Sequence, residues 1–272
     1  MYKIEDKEVL APTIKKIKVK APLIAKKTKP GNFIILRVNE KGERIPLTIA
    51  DYDRETGLVS IIFQEVGYTT KLLGSLEVGD TIQDLVGPLG QPLEIEDYDK
   101  VVCLGGGSGT ALLYPKVKAL HDEGSEVFTI TGARTKNLII LEDELNQVSD
   151  ELYICTDDGS YGHHGFVTDV LEDLVDEEDI DLVVAIGPVP MMKAVADITR
   201  NQEIKTIVSL NSLMVDGTGM CGGCRVTVGG ETKFTCVDGP AFDGHQVDFE
   251  ELMNRLSYYQ KEEEMVNKEG EL

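Results

Sequence analysis

The chain has 272 residues, enough for two or three small domains that each bury a real core. Its 42% hydrophobic and 28% charged residues are ordinary for a globular protein, and a net charge of −21 disfavours nucleic acid and anionic membranes as partners. No apolar run reaches the ~18 residues that span a bilayer. The segment Met1-Tyr-Lys-Ile-Glu-Asp-Lys-Glu8 lacks the apolar centre of a signal peptide, and five cysteines with one C-x-x-C do not read as a secreted disulfide framework, so a reducing cytoplasm is expected.

The first hundred residues read as strands. Ile14–Val19 roughly alternates apolar and polar side chains, and Asn32–Val38 and Leu58–Phe63 are further apolar runs. Turn signals separate them at Pro30-Gly31, Lys41-Gly42, Thr56-Gly57 and Gly79-Asp80. Short strands at this spacing predict an antiparallel barrel or sandwich. From residue 99 the pattern changes. Val101–Leu104, Val127–Thr131, Glu151–Cys155 and Asp181–Ile186 are apolar strands separated by helical stretches, which predicts βαβ units on a parallel sheet. Cys103 and Cys155 fall inside these strands and read as buried structural thiols. From about Ile207 the alternation breaks into a Gly- and Cys-rich segment too small to form a core without a metal or cluster. Phe249–Leu256 has helical spacing, and the charged stretch from Lys261 to Leu272 is expected to fray.

Three groups of residues carry chemistry. In the first region, Arg44-Ile-Pro-Leu-Thr-Ile-Ala50 and Val66-Gly-Tyr-Thr-Thr70 combine an arginine, a proline and hydroxyls beside glycine, which suits a diphosphate and a flavin ring. In the second, Gly105, Gly106, Gly107, Ser108 and Gly109 follow a strand and open a helix. Glycines there allow close backbone approach to a pyrophosphate, and the helix N-terminus favours its charge; the alternative is a plain tight turn. Thr131–Arg134, Thr156–Gly159 and Gly187-Pro188 would complete a crevice at the carboxyl ends of the strands. Arg134 suits a ribose or phosphate, or a surface ion pair. Asp157 and Asp158 suit hydrogen bonds from ribose or nicotinamide, or a D-G turn. His163-His164 has no metal-ligand spacing around it.

The third group is Asp216-x4-Cys221-x2-Cys224-x11-Cys236. Iron–sulfur clusters are usually held by four cysteine thiolates. Here there are three, with an aspartate upstream. Structural zinc and a C-x-x-C redox disulfide remain alternatives. The surrounding glycines favour a loop that wraps sulfide closely, and Cys236 lacks the paired partner of a zinc ribbon. Asp238 is a rival oxygen donor whose D-G-P setting reads as a turn.

Taken together, these motifs resemble the ferredoxin-reductase-like electron-transfer subunits. Within them the chain is similar to the dihydroorotate dehydrogenase electron-transfer subunit and its relative, the small subunit of NADH-dependent ferredoxin:NADP oxidoreductase, also described as a sulfide dehydrogenase subunit. The resemblance runs from Pro30-Gly31 to Asp238-Gly-Pro240. It implies a β + α/β fold: an antiparallel FAD-binding β-barrel over 1–98, a Rossmann-like NAD(P)-binding domain over 99–206, and a small 2Fe-2S domain with a C-terminal helix over 207–272. It implies FAD held by Arg44, Pro46, Leu47, Thr48, Ile62, Phe63 and Gln64, with Gly67, Thr69 and Thr70 at its diphosphate. NAD(H), or alternatively NADP(H), would lie at Gly105–Gly109, Arg134, Asp157, Asp158 and Gly187. Asp216, Cys221, Cys224 and Cys236 would be the cluster ligands. The dihydroorotate-type subunits have a cysteine where this chain has Asp216, which favours the ferredoxin:NADP oxidoreductase branch. That branch implies a larger partner subunit with flavin and 4Fe-4S clusters, ferredoxin as a further redox partner, and flavin-based bifurcation. Hydride transfer needs no side-chain acid or nucleophile, so no catalytic residue is expected. The other readings are a dihydroorotate dehydrogenase electron-transfer subunit and a zinc- or nucleotide-binding regulator.

Overall fold

A computed structural model describes residues 1–269. The N-terminal strands are β1 (Tyr2–Ala11), β2 (Ile14–Lys20), β3 (Phe33–Arg37), β4 (Arg44–Asp53), β5 (Leu58–Gln64), β6 (Thr81–Ile82) and β7 (Asp84–Leu89), with helices α1 (Pro22–Lys27) and α2 (Tyr68–Ser75). They form one antiparallel sheet in the order β6-β1-β2-β5-β4-β3-β7. Its two outermost strands, β6 and β7, are consecutive in the chain and separated only by Gln83, so the sheet curls into a nearly closed barrel. β1 and β4 had not been singled out as strands. Register shifts between Ile4 and Asp6 and between Val9 and Ala11 break the alternation of β1, of whose residues only Ile4 and Ala11 are buried.

β3 is buried on both faces, which explains its unbroken apolar run. Ile34 and Leu36 point into the barrel core, and Phe33 and Ile35 point outward into a separate cluster with Cys224 and Cys236.

The second sheet contains β8 (Lys100–Gly106), β9 (Glu126–Ala133), β10 (Glu151–Thr156), β11 (His163–His164), β12 (Leu182–Ile186), β13 (Lys205–Ser209) and, after the hairpin β14 (Arg225–Val228) and β15 (Glu231–Phe234), β16 (Ala241–Asp243). The order is β11-β10-β9-β8-β12-β13-β16, parallel except for β16 against β13. Helices α3 (Gly109–Asp122), α4 (Glu142–Asn146), α5 (Val167–Glu177) and α6 (Val189–Asn201) cover it. Strand alternation splits its side chains between two cores. Val102, Leu104, Val183 and Ala185 pack with α5 and α6, whereas Val101, Cys103, Leu182 and Val184 pack with α3 and α4. Burial pushes the thiols of Cys103 and Cys155 up to about 12 and about 11, as befits structural cysteines.

Two features tie the regions together. The α3-side core continues into the barrel through Ala11, Ile14, Ala50, Ile62 and Leu93. The expected boundary at 206/207 falls inside β13, and β16 returns from beyond the cysteines to pair with it. The C-terminal helix forms as α7 (Phe249–Leu256), with Phe249 and Leu252 buried. The stretch expected to fray forms α8 (Gln260–Glu269), consistent with the helix propensity of its Glu and Lys residues, and residues 270–272 lie outside the described part.

Lys116 of α3 lies in the seam between the barrel and the second sheet, beside Gly31, and is only 1% exposed. Its ammonium has no hydrogen-bond or ion-pair partner among the described residues, and its titratable neighbour is the Cys103 thiol. Burial lowers its pKa from the ordinary 10.5 to about 8. Below pH 8 the amine is charged in both folded and unfolded chains, and the folded state bears the whole desolvation cost. Between about 8 and 10.5 the unfolded chain binds the extra proton, so stability rises with pH. Lys116→Met should raise the unfolding free energy at pH 7 by about 1–3 kcal/mol and flatten this alkaline rise, as read from urea unfolding at pH 7 and 9.5.

Candidate functional site

β4 and β5 are paired from Asp53–Leu58 as far as Ile49–Ile61 and then separate. Beyond that point β4 pairs only with β3, matching Pro46 to Ile35 and Thr48 to Phe33. Alternation puts Arg44, Pro46 and Thr48 on the outer face of the barrel, while Ile45 and Leu47 pack toward its core. Arg44 is exposed, and its guanidinium has no ion-pair partner among the described residues. The residues expected beside them on β5 divide. Phe63 is buried in the barrel core, Ile62 is buried in the seam with α3, and Gln64 is half-buried and donates to the Thr13 hydroxyl at 3.3 Å. Only the backbone of Ile62 and Phe63 is therefore in a position to serve a ligand there.

The segment after β5 leads into α2. A Cβ on Gly67 would meet nothing within 4 Å, so the approach to this helix N-terminus is open. The Thr70 hydroxyl accepts from the amides of Val66 and Gly67 at 3.1 and 3.0 Å and donates to the Gly67 carbonyl at 3.0 Å. Its hydrogen-bonding capacity is used in shaping the turn, which leaves the amides of the first helical turn to bind an anion. The Thr69 hydroxyl donates to Glu43 at 3.1 Å, bringing the start of α2 beside the start of β4. Glu43 carried no signal in the sequence, because this contact joins residues 26 apart.

On the second sheet, β8 lies between β9 and β12, and the chain leaves it in opposite directions. That is a topological switch point, where open α/β sheets form their ligand crevice. Gly105–Gly109 and Gly187-Pro188 stand on the two sides of it. Gly109 and Gly105 press against backbone, whereas Gly106 and Gly187 face the flexible end of Met191. A Cβ on Gly109 would run into the Ile186 carbonyl, one on Gly105 would lie 2.9 Å from Thr110 Cα, and one on Gly106 would lie 2.6 Å from Met191 Sδ. Gly187 packs the same way, with a Cβ position 2.8 Å from Met191 Cε. Gly107 differs: its φ is +57°, a Cβ would meet nothing within 4 Å, and its amide donates to the Gly132 carbonyl at 2.8 Å. Ser108 is the residue before the first turn of α3. Arg134 and Asp157 are exposed beyond the ends of β9 and β10. Asp158 closes a turn: its carboxylate accepts from the Ser160 amide at 3.0 Å, and this bonding to Ser160 lowers its pKa. His163 and His164 are exposed, and His163 faces Asp169 at 3.8 Å.

In the Cys-rich segment the close sulfur pair is Cys224 with Cys236, buried and 3.1 Å apart, rather than the two cysteines of C-x-x-C. Burial, and then the hydrogen bond to Cys224, push the Cys236 thiol up to about 12. Two buried sulfurs this close suit a pair of thiolates that share one cation. Cys221 is exposed and belongs with Asp216, whose carboxylate accepts from the amides of Thr218 at 2.7 Å and Cys221 at 3.0 Å. These bonds, that to Thr218 first, keep the Asp216 carboxyl below its ordinary pKa. Among the described residues no three His, Cys, Asp or Glu side chains converge as for a single metal ion. The four candidate donors are linked two by two, Cys224 to Cys236 through their sulfurs and Asp216 to Cys221 through the Cys221 amide. Asp238 instead accepts from the Phe234 amide at 2.6 Å and closes a turn. The whole segment rests on the barrel, with Cys224 and Cys236 packed on Phe33 and Ile35 and Gly217 pressed so closely that a Cβ would lie 2.6 Å from Ile35 Cγ1.

The glycine geometry makes a ranked prediction. Gly109→Ala must displace backbone and should cost about 1–3 kcal/mol, whereas Gly107→Ala meets no atoms and bears only the left-handed backbone cost of roughly 1–2 kcal/mol. Gly107→Ala should therefore leave the protein the better folded of the two in urea melts.

Known proteins bear on these observations. Residues 211–248 match the iron-sulfur cluster binding domain of dihydroorotate dehydrogenase B. The dihydroorotate dehydrogenase B (NAD(+)) electron transfer subunit homolog of Thermotoga maritima is 49% identical over 247 residues, 91% of this chain and 87% of that protein. A chain from the structure of the NADH-dependent reduced ferredoxin-NADP oxidoreductase, described for flavin-based electron bifurcation, is 46% identical with a TM-score of 0.94, covering 99% of this chain and 97% of that one. The cytochrome b5 reductase domain of Ulva prolifera nitrate reductase shares the fold alone, at 17% identity and a TM-score of 0.62 over 75% of this chain and 93% of that one. No helix of the described residues is long and apolar enough to cross a membrane. With a ferredoxin reductase-like fold, an iron–sulfur domain at its end and close relatives along nearly its whole length, the chain belongs to the family of dihydroorotate dehydrogenase B electron-transfer subunits, which are oxidoreductase subunits.

Proposed function

We propose that this chain is the cytoplasmic electron-transfer subunit of an NADH-dependent ferredoxin:NADP oxidoreductase, with a flavin domain over 1–98, a nucleotide domain over 99–206 and a 2Fe-2S domain over 207–272. The observation that carries this reading is the pairing of Asp216 with Cys221 beside the buried pair Cys224 and Cys236. An aspartate stands where dihydroorotate-type subunits have a fourth cysteine.

In this reading Arg44, Pro46 and Thr48 line the flavin on the outer face of the barrel, with Gln64 and the backbone of Ile62 and Phe63 opposite. The first turn of α2, from Gly67 through Thr69 and Thr70, binds the diphosphate of FAD. Gly105–Gly109 and Gly187 cradle the diphosphate of NAD(H), while Arg134, Asp157 and the Asp158 turn border its sugar and nicotinamide. Bound nicotinamide, flavin and cluster supply the hydride and single-electron chemistry; the protein holds them in order. Cys224 and Cys236 pack on Phe33 and Ile35 of β3, whose cross-strand partners on β4 are Thr48 and Pro46, so the sulfurs and the flavin would share one wall of the barrel. The exposed Cys221 edge would face a larger flavin- and 4Fe-4S-bearing subunit, with ferredoxin as the partner of the complex.

The isolated complex should couple NAD(H) and NADP(H) turnover through ferredoxin. Dihydroorotate oxidation by a copurifying subunit, with no ferredoxin dependence, would instead assign it to pyrimidine synthesis, the reading that the name of the Thermotoga relative favours. Stoichiometric zinc without flavin in anaerobically prepared protein would overturn both. Asp216→Ala should lose the cluster or shift its EPR signal; an unchanged signal rejects Asp216 as a ligand.

A further inference from the structure

The turn between Cys221 and Cys224 is gripped from behind by two arginines. Arg225, the first residue of β14, donates through Nη1 to the Gly222 carbonyl at 3.2 Å. Arg255, in the last turn of α7, donates through Nη2 to the Gly223 carbonyl at 3.0 Å. Neither guanidinium has an ion-pair partner within 4 Å among the described residues. Both line a polar cleft of about 530 Å³ together with Asp248, Glu251, Asn254 and Tyr258.

Their placement is built into the fold. α7 is held to β14 by burial of Phe249 and Leu252 against Val226 and Val228 and by the Glu251 carboxylate, which accepts from the Thr227 amide at 3.2 Å. Asp248 caps the helix by accepting from the Glu251 amide at 2.9 Å. The 32-residue separation between Arg255 and Gly223 is thus bridged by a rigid helix on a hairpin.

The consequence follows from the planarity of the peptide group. The Gly222 carbonyl and the Gly223 amide belong to one trans peptide unit and point in opposite directions. The carbonyl faces Arg225, and the amide donates to Cys221 Sγ at 3.4 Å. A cation on the oxygen polarises the unit and strengthens the N–H···S bond on its far side. Arg255 fixes the next peptide, between Gly223 and Cys224, in the same way. The left-handed φ of +67° at Gly222 lets the turn present both carbonyls outward.

We propose that Arg225 and Arg255 are positioning residues that hold the Cys221–Cys224 turn with its carbonyls outward and its amide on sulfur, and thereby raise the reduction potential of the iron–sulfur centre. This rests on the iron–sulfur reading of the site. Reduction adds negative charge at the cluster, and hydrogen bonds to sulfur and nearby cations favour the more negative state.

The test is potentiometric EPR on the full-length, anaerobically prepared protein, with iron and sulfide assayed in every sample. Arg225→Gln and Arg255→Gln should retain the cluster and make it about tenfold harder to reduce, which is about 59 mV for one electron. Arg225→Lys and Arg255→Lys, which keep the charge and one donor, should recover part of that loss. A full cluster with unchanged potential in both Gln variants overturns the proposal, as does loss of the cluster from the Gln and Lys variants alike. Wild-type protein that binds no iron and sulfide sinks the iron–sulfur reading itself, a result distinct from either.

Discussion

The contact on which the rest of the molecule depends is that between the cysteine loop and strand β3. Phe33 and Ile35 offer an apolar outer face to Cys224 and Cys236, and Gly217 lies against Ile35 with no room for a side chain. On the same face, one strand over, are Pro46 and Thr48. The buried sulfurs and the strand proposed to face the flavin therefore share a single wall. Gln91 reinforces the contact: its amide donates to the Gly239 carbonyl at 2.6 Å and its side chain to the Val237 carbonyl at 2.9 Å.

The nucleotide sheet is placed by a second contact, the seam where α3 packs on the barrel. α3 begins at the glycine turn that faces the crevice and ends in the core shared with Ile14, Ala50 and Ile62. One rigid helix therefore connects the glycine turn to the barrel wall. Lys116 is the exception within it. A buried amine without a partner works against stability, so its neighbours have to outweigh it, and the continuous apolar core around Val101, Leu113 and Val117 is what does so.

Much of this was legible in the residues. The change from short strands to alternating strands and helices, the glycine turn after a strand, and the spacing of Asp216, Cys221, Cys224 and Cys236 all lie close together in sequence, where periodicity and spacing are informative. β1 is not legible because two register shifts break its alternation, and β4 because its proline and polar outer face do not read as an apolar run. The burial of Leu47 and Phe63 toward the barrel core and of Ile62 toward α3 was also hidden. A strand motif gives residue types in order, but the face each side chain takes depends on which neighbouring strands are paired and where β4 and β5 separate.

By itself the sequence determined the strands and helices with a clear local pattern, the change from short strands to alternating strands and helices, and the chemical type of the Asp216–Cys236 donor set, because these are set by local pattern and by side-chain chemistry. Tertiary structure decided which donors meet: Cys224 with Cys236 across 12 residues, Arg255 with Gly223 across 32, and the cysteine loop with a strand about 190 positions earlier. Such contacts are produced by burial of apolar faces, which is non-directional along the chain, so no spacing rule within the sequence could specify them.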